Sequence, residues 1–280
     1  MERAMQGLVR RMGAGSSARG VLALITALVA IASARLLAGH GADAAVAAVV
    51  LLAALVSSIA GFAFAALAGS ALAYLRFDPV QAVMTMALCS IAIQGYAVWQ
   101  LRASIRWRAL APMLGAGAMT TPLGVALLVH IDAKLYAGVL GAIVTCYGAH
   151  LLLRRQIRPV RGTAWRDALV AAIGGLMGGL SSAPGLAVTI WCSMRGLDKV
   201  QQRAVYQPFI LTMQLVTVAC LASTAVPQTD ALHYASFVPF ALMGAVGGFA
   251  LYRRMSLRQF HAAVSLLLIV SGTGLLTRAY

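Results

Sequence analysis

The sequence predicts an all-α, polytopic membrane protein. Its expected architecture is two inverted repeats, each a broken, glycine-rich segment followed by three transmembrane helices, plus one extra N-terminal helix. Three observations predict this. The 280 residues are 61% hydrophobic and only 10% charged, where a soluble domain carries about 25% charged residues. All seven acids (Glu2, Asp43, Asp78, Asp132, Asp167, Asp198 and Asp230) fall at or outside the ends of apolar runs. Those runs are long and do not alternate strictly, which suits helices and excludes barrel strands.

In chain order, residues 1–42 form a basic leader and a first apolar stretch, Gly20–Ala34, only 15 residues long. Its ending, "ASA" at 32–34, resembles a signal-peptidase site, but an uncleaved first span is the preferred reading. The first repeat is set at 43–155 and contains uncharged runs at 44–75, 79–101, 109–131 and 135–153. The second is set at 156–280, with runs at 168–194, 204–229, 231–252 and 259–277. The whole is expected to be one integral membrane domain.

The repeat shows in the sequence itself. "DPVQAVMTMALCSIAIQ" (78–94) and "DKVQQRAVYQPFILTMQ" (198–214) share Asp, Val and both Gln at a shift of 120 residues. "APMLGAGAMTTPLG" (111–124) answers "VPFALMGAVGGFA" (238–250), each a small-residue helix opened by proline. Orientation follows from the positive-inside rule. If 44–75 and 168–194 each enter and return on one side, then 18 of the 22 Lys and Arg residues become cytoplasmic. The two broken segments then open from opposite sides, which is inverted topology.

The second broken segment contains "GGLMGGLSSAPG" (174–185), with no charge between Ala168 and Met194. Glycine and proline are poor residues for a helix interior. Irregular backbone at membrane depth is tolerated where protein buries it or water lines it. Gly178, Gly179 and Pro184 are therefore expected to shape a turn, with Gly61 in the corresponding stretch of the first repeat. Ser181 or Ser182 suits the N-cap of a half-helix starting there. Such a start, with the Ser181 and Ser182 hydroxyls and the amides of Ala183 and Gly185, is expected to hold an oxyanion. Close helix packing through small residues is the competing reading. Gln94 and Gln214 lie at matching depths in their helices and either touch substrate or bond across helices. Arg203, Tyr206 and Gln207 share a face near the start of the sixth crossing, where Arg203 either draws anions in or snorkels.

The remaining chemistry narrows the function class. The net charge of +15 lies in short loops, so it reads as topology and not as nucleic-acid binding. Cys89, Cys146, Cys192 and Cys220 lie within apolar runs without C-x-x-C spacing, and are expected to be small buried residues. No span carries a carboxylate at its middle, so the usual coupling acids are missing. There is no asparagine, no catalytic or phosphate-loop motif, and no histidine pair at metal spacing. No catalytic residue, cofactor or metal is expected.

The run "GGLMGGLSSAPGLAVTIWCSMRGLDKVQQRAV" resembles the TauE/SafE sulfite exporter family. The family's glycine- and proline-rich stretch maps to Gly175–Gly185, its short R-G-L loop to Arg195–Asp198, and its downstream arginine to Arg203. "DPVQAV" and "RASIRWR" match the layout of the first half, so the likeness extends over about 45–278. Two departures are visible: "AGFAFAALAG" replaces a glycine-dense first turn, and Ala183-Pro184-Gly185 replaces Gly-Pro-Pro. The resemblance implies a bacterial inner-membrane permease for anions such as sulfite, organosulfonates or related carboxylates. The expected activity is secondary export of a small anion, and not an enzymatic reaction. The alternative is a non-transporting assembly or partner-binding subunit. The expected partners are the anion, the lipid bilayer and, as an open option, a second copy of the chain in a homodimer.

Overall fold

A computed structural model describes residues 27, 29–31, 33, 41–60, 64–75, 77–153, 160, 162–223, 231–252, 266, 269, 270 and 272–277. Among them every regular element is a helix. These are α1 (Gly41–Ala60), α2 (Phe64–Tyr74), α3 (Pro79–Leu101), α4 (Trp107–His130), α5 (Ala133–Leu153), α6 (Ala164–Ser181), α7 (Gly185–Met194), α8 (Lys199–Ser223), α9 (Ala231–Ala235) and α10 (Val238–Tyr252). By length and apolar composition, Pro79–Leu101, Trp107–His130 and Val200–Ser223 each suffice to cross a membrane. The leader and most of the last apolar run lie outside the described residues, as do residues 61–63 between α1 and α2. The chain is a multi-pass membrane protein.

The helix starts follow from local chemistry. Asp78 caps α3 by accepting from the amides of Val80 (2.9 Å) and Gln81 (3.2 Å), with Pro79 in the first turn. Asp198 does the same at α8, accepting from Val200 and Gln201, each at 2.9 Å. The two caps are 120 residues apart and use the same register.

Glycine decides how the helices meet. α4 packs along α6, and α1 along α10. A Cβ on Gly124 would strike the carbonyl oxygen of Leu176 and approach the amide nitrogen of Leu180 at 2.9 Å. A Cβ on Gly244 would strike the carbonyl oxygen of Leu51 and approach the amide nitrogen of Leu55 at 3.0 Å. Gly124 and Gly244 are 120 residues apart, and the leucine pairs they touch are each 125 apart. Gly175 meets Gly117, and Gly179 meets Thr121. Numbers rise together along both members of each pair, so α4 runs parallel to α6 and α1 runs parallel to α10. Thr120 Oγ1 joins α4 to α6 by donating to the carbonyl of Ala172 at 2.7 Å.

The outward faces are apolar. Met119, Leu123 and Leu127 of α4 are exposed beside Leu169 and Ile173 of α6. This is the composition of a surface that contacts acyl chains. Cys146 is also exposed, on α5, whereas Cys89 and Cys192 are buried as expected and Cys220 is half-buried.

Candidate functional site: the α6–α7 turn

The uncharged stretch from 168 to 194 is two helices and a turn. α6 ends at Ser181, and Ser182 adopts the left-handed conformation, φ 56° and ψ 24°. It is the one non-glycine residue with positive φ among those described, and such a conformation costs a side chain about 1–2 kcal/mol. Two backbone bonds close the helix end: the Ser182 amide donates to Gly178 O (2.8 Å) and the Ala183 amide to Met177 O (3.4 Å). Pro184 precedes α7, which starts at Gly185 with no side chain capping it.

The serines thus finish α6 instead of capping α7, because Ser182 turns the chain and Pro184 occupies the cap position. Gly178 and Gly179 also differ from the expected turn role, since both lie in the last turns of α6. Gly179 lets α4 approach, and Gly178 leaves room for the Pro184 ring, whose Cβ lies 3.0 Å from where a glycine Cβ would stand. The turn itself is Ser182-Ala183-Pro184. Gly61 lies outside the described residues.

The strained turn is held from α8. Ser182 Oγ donates to Gln214 Oε1 at 3.0 Å, and Gln214 Nε2 donates back to Ser182 O at 2.8 Å. Both residues are fully buried. Ser181 Oγ donates to Met177 O at 2.9 Å, one turn back. The hydroxyl protons of both serines are therefore committed within the protein. Gln94, at the matching depth of α3, is also buried, but its Oε1 has no partner. Ala183 and Gly185 are buried at the turn and at the first residue of α7. Gln207 and Tyr206 are buried and Arg203 is half-buried, all in the first half of α8.

The far ends of the two helices meet. Trp191 Nε1 of α7 donates to Asp167 Oδ1 of α6 at 2.6 Å, and Arg195 Nη1 reaches the same carboxylate at 3.3 Å. Beside them, the Val160 amide donates to Met194 O at 2.9 Å. α6 and α7 therefore form a hairpin whose two ends sit together. Helical rise sets the turn about 15–20 Å away from them.

The family model described as "Sulfite exporter TauE/SafE" matches residues 46–275. The chain belongs to the TauE/SafE sulfite exporter family. No curated protein and no solved structure matches it. TauE/SafE proteins are a family of transporters and not of enzymes, and the helices found here accord with a membrane permease.

Two residues of this TauE/SafE chain escaped the sequence reading. Asp167 looked like a charge flanking an apolar run, and only folding brings Trp191 and Arg195 to it. Thr189 sits one turn inside α7, buried, and its Oγ1 has no partner. Its signal was faint: one hydroxyl in "GLAVTIWC". Among the described residues, no group of three His, Cys, Asp or Glu could hold a metal ion.

Proposed function

We propose that the chain is a secondary transporter of the bacterial inner membrane. It exports small oxyanions (sulfite, organosulfonates or related carboxylates) that bind where the α6–α7 hairpin turns near the bilayer midplane. The observation that carries this reading is the hairpin, joined at Asp167, Trp191 and Arg195 and turning at the buried Ser182. A hydrocarbon core is about 30 Å thick, so a turn at this depth lies well inside it. The start of α7 offers the Gly185 amide and the positive end of its dipole to an anion without requiring a buried cation, whereas the expected Ala183 amide is given to Met177 O and the Leu186 amide to Ala183 O.

The reading includes two repeats of inverted topology, bounded near 43–155 and 156–280. Support comes from the matched caps at Asp78 and Asp198 and from the matched contacts of Gly124 and Gly244. In each case the second transmembrane helix after the broken segment of one half packs on the broken segment of the other. The parallel course of α4 and α6 brings the basic loops before them to one end of the bundle. Trp99, Trp107 and Trp165 are exposed near that end, and Arg102 and Arg166 lie over the rings of Trp99 and Trp165. Aromatic and basic residues in this arrangement mark a cytoplasmic interface. Arg203, near the start of α8, draws anions toward the hairpin.

Export needs no coupling ion. With the cell interior negative, an anion leaving gains about 2.3 kcal/mol per charge per 100 mV. The test is purified protein in proteoliposomes under an imposed potassium diffusion potential. Sulfite flux that rises with the potential in the direction that drives anions outward supports the reading. Flux equal to that of protein-free vesicles for sulfite, sulfonates and small carboxylates overturns it.

A further inference from the structure

We infer that Thr189, and not the paired serines, supplies the hydroxyl that donates to the bound oxyanion. The inference rests on the anion-binding reading of the α6–α7 turn. An anion needs donors, and the hydroxyls at the turn are spent: Ser181 Oγ on Met177 O and Ser182 Oγ on Gln214 Oε1, while Gln214 Nε2 gives one of its two N–H groups to Ser182 O. Thr189 is different. A buried helical hydroxyl ordinarily donates to the carbonyl one turn back, as Ser58, Ser70, Thr85, Thr121 and Thr217 do here. Thr189 makes no such bond to Gly185 O, although it is only 5% exposed.

Helix geometry directs this hydroxyl. Thr189 stands four residues after Gly185, so the two share a face of α7. A helical Cα–Cβ bond tilts toward the N-terminus, which leans the side chain back toward the open start of α7. The unpartnered hydroxyl and the uncapped first turn therefore belong to one face of α7, one helical turn apart. An unmet buried donor is costly in the empty protein and is satisfied when an oxyanion arrives. Gln214 then acts as a positioning residue: it holds Ser182 in its left-handed conformation, and so fixes where α7 begins.

The test compares wild type with Thr189→Val and Thr189→Ser in purified form and in sulfite-loaded proteoliposomes. Thr189→Val is expected to unfold without ligand at or above the wild-type temperature, since a methyl replaces a group with no partner. It is expected to raise the half-saturating sulfite concentration by roughly 10- to 100-fold, the worth of a hydrogen bond to a charged group. Thr189→Ser should return most of that loss. Unchanged half-saturation in Thr189→Val, while wild type transports, overturns the role of Thr189 alone. So does a clear loss of ligand-free stability in Thr189→Val, which would mean that the hydroxyl is partnered inside the protein. Wild-type vesicles that move no tested anion overturn the transporter reading, and this inference with it.

Discussion

The Gln214 carboxamide grips Ser182 twice, accepting from its hydroxyl at 3.0 Å and donating to its carbonyl at 2.8 Å. Ser182 holds a left-handed backbone where no glycine is present. A glycine there would remove the steric cost but leave Gln214 without its hydroxyl. Both outcomes are measurable.

Ser182→Ala should cost about 1–3 kcal/mol, because it leaves Gln214 Oε1 unmet and keeps the backbone strain. Ser182→Gly should be less destabilised than Ser182→Ala by about 1 kcal/mol, since glycine enters the left-handed region freely. Gln214→Leu should fall near the alanine variant, with the Ser182 carbonyl unmet. Denaturation in detergent, read by intrinsic fluorescence, would rank the three. Equal stability for the alanine and glycine variants would contradict the strain argument.

The glycines should divide into two groups. Gly175→Ala, Gly179→Ala, Gly124→Ala and Gly244→Ala each drive a methyl into backbone of the facing helix, and overpacking of this kind costs about 1–3 kcal/mol. Gly95→Ala and Gly115→Ala meet nothing within 4 Å, and should be neutral or stabilising by up to about 1 kcal/mol. Thermal unfolding of the six variants checks the division.

The tie at the hairpin ends should be mostly aromatic. Asp167 and Arg195 keep side-chain exposures of 23% and 32%, so solvent screens their attraction. Asp167→Asn should therefore cost no more than about 1 kcal/mol. Trp191→Ala removes a buried ring as well as a hydrogen bond, and should cost about 3 kcal/mol or more. Chemical denaturation of the two variants would separate the contributions.

Sidedness can be read by labelling. In a chain with its four cysteines replaced, cysteines introduced at Ser104, Thr163 and Leu197 should react with an impermeant maleimide from one membrane face. A cysteine at Asp132 should react from the other. Intact vesicles of known orientation decide this, and labelling of Thr163 and Ser104 from opposite faces would sink the inverted arrangement.

Much of this was visible in the sequence. Uncharged runs bounded by Asp78, Asp132, Asp167 and Asp198 mark the helices, because charges are expelled from lipid-facing segments. The interruption of the second half near Ser182 was legible in its serines and proline, since no unbroken helix favours that combination. What the residues on one strand of text could not assign was which glycine turns and which packs. Gly178 and Gly179 proved to lie inside α6, and the turn fell to a serine. That choice depends on α4 pressing against one face of α6 and on Gln214 reaching from α8, contacts between residues dozens of positions apart. The apolar code of the sequence determined that this chain enters a membrane as helices. Only tertiary packing decided which buried polar groups satisfy one another and which, like Gln94 and Thr189, keep hydrogen-bonding capacity unspent. Hydrophobicity is a property of each residue, whereas the partner of a hydrogen bond is a property of the fold.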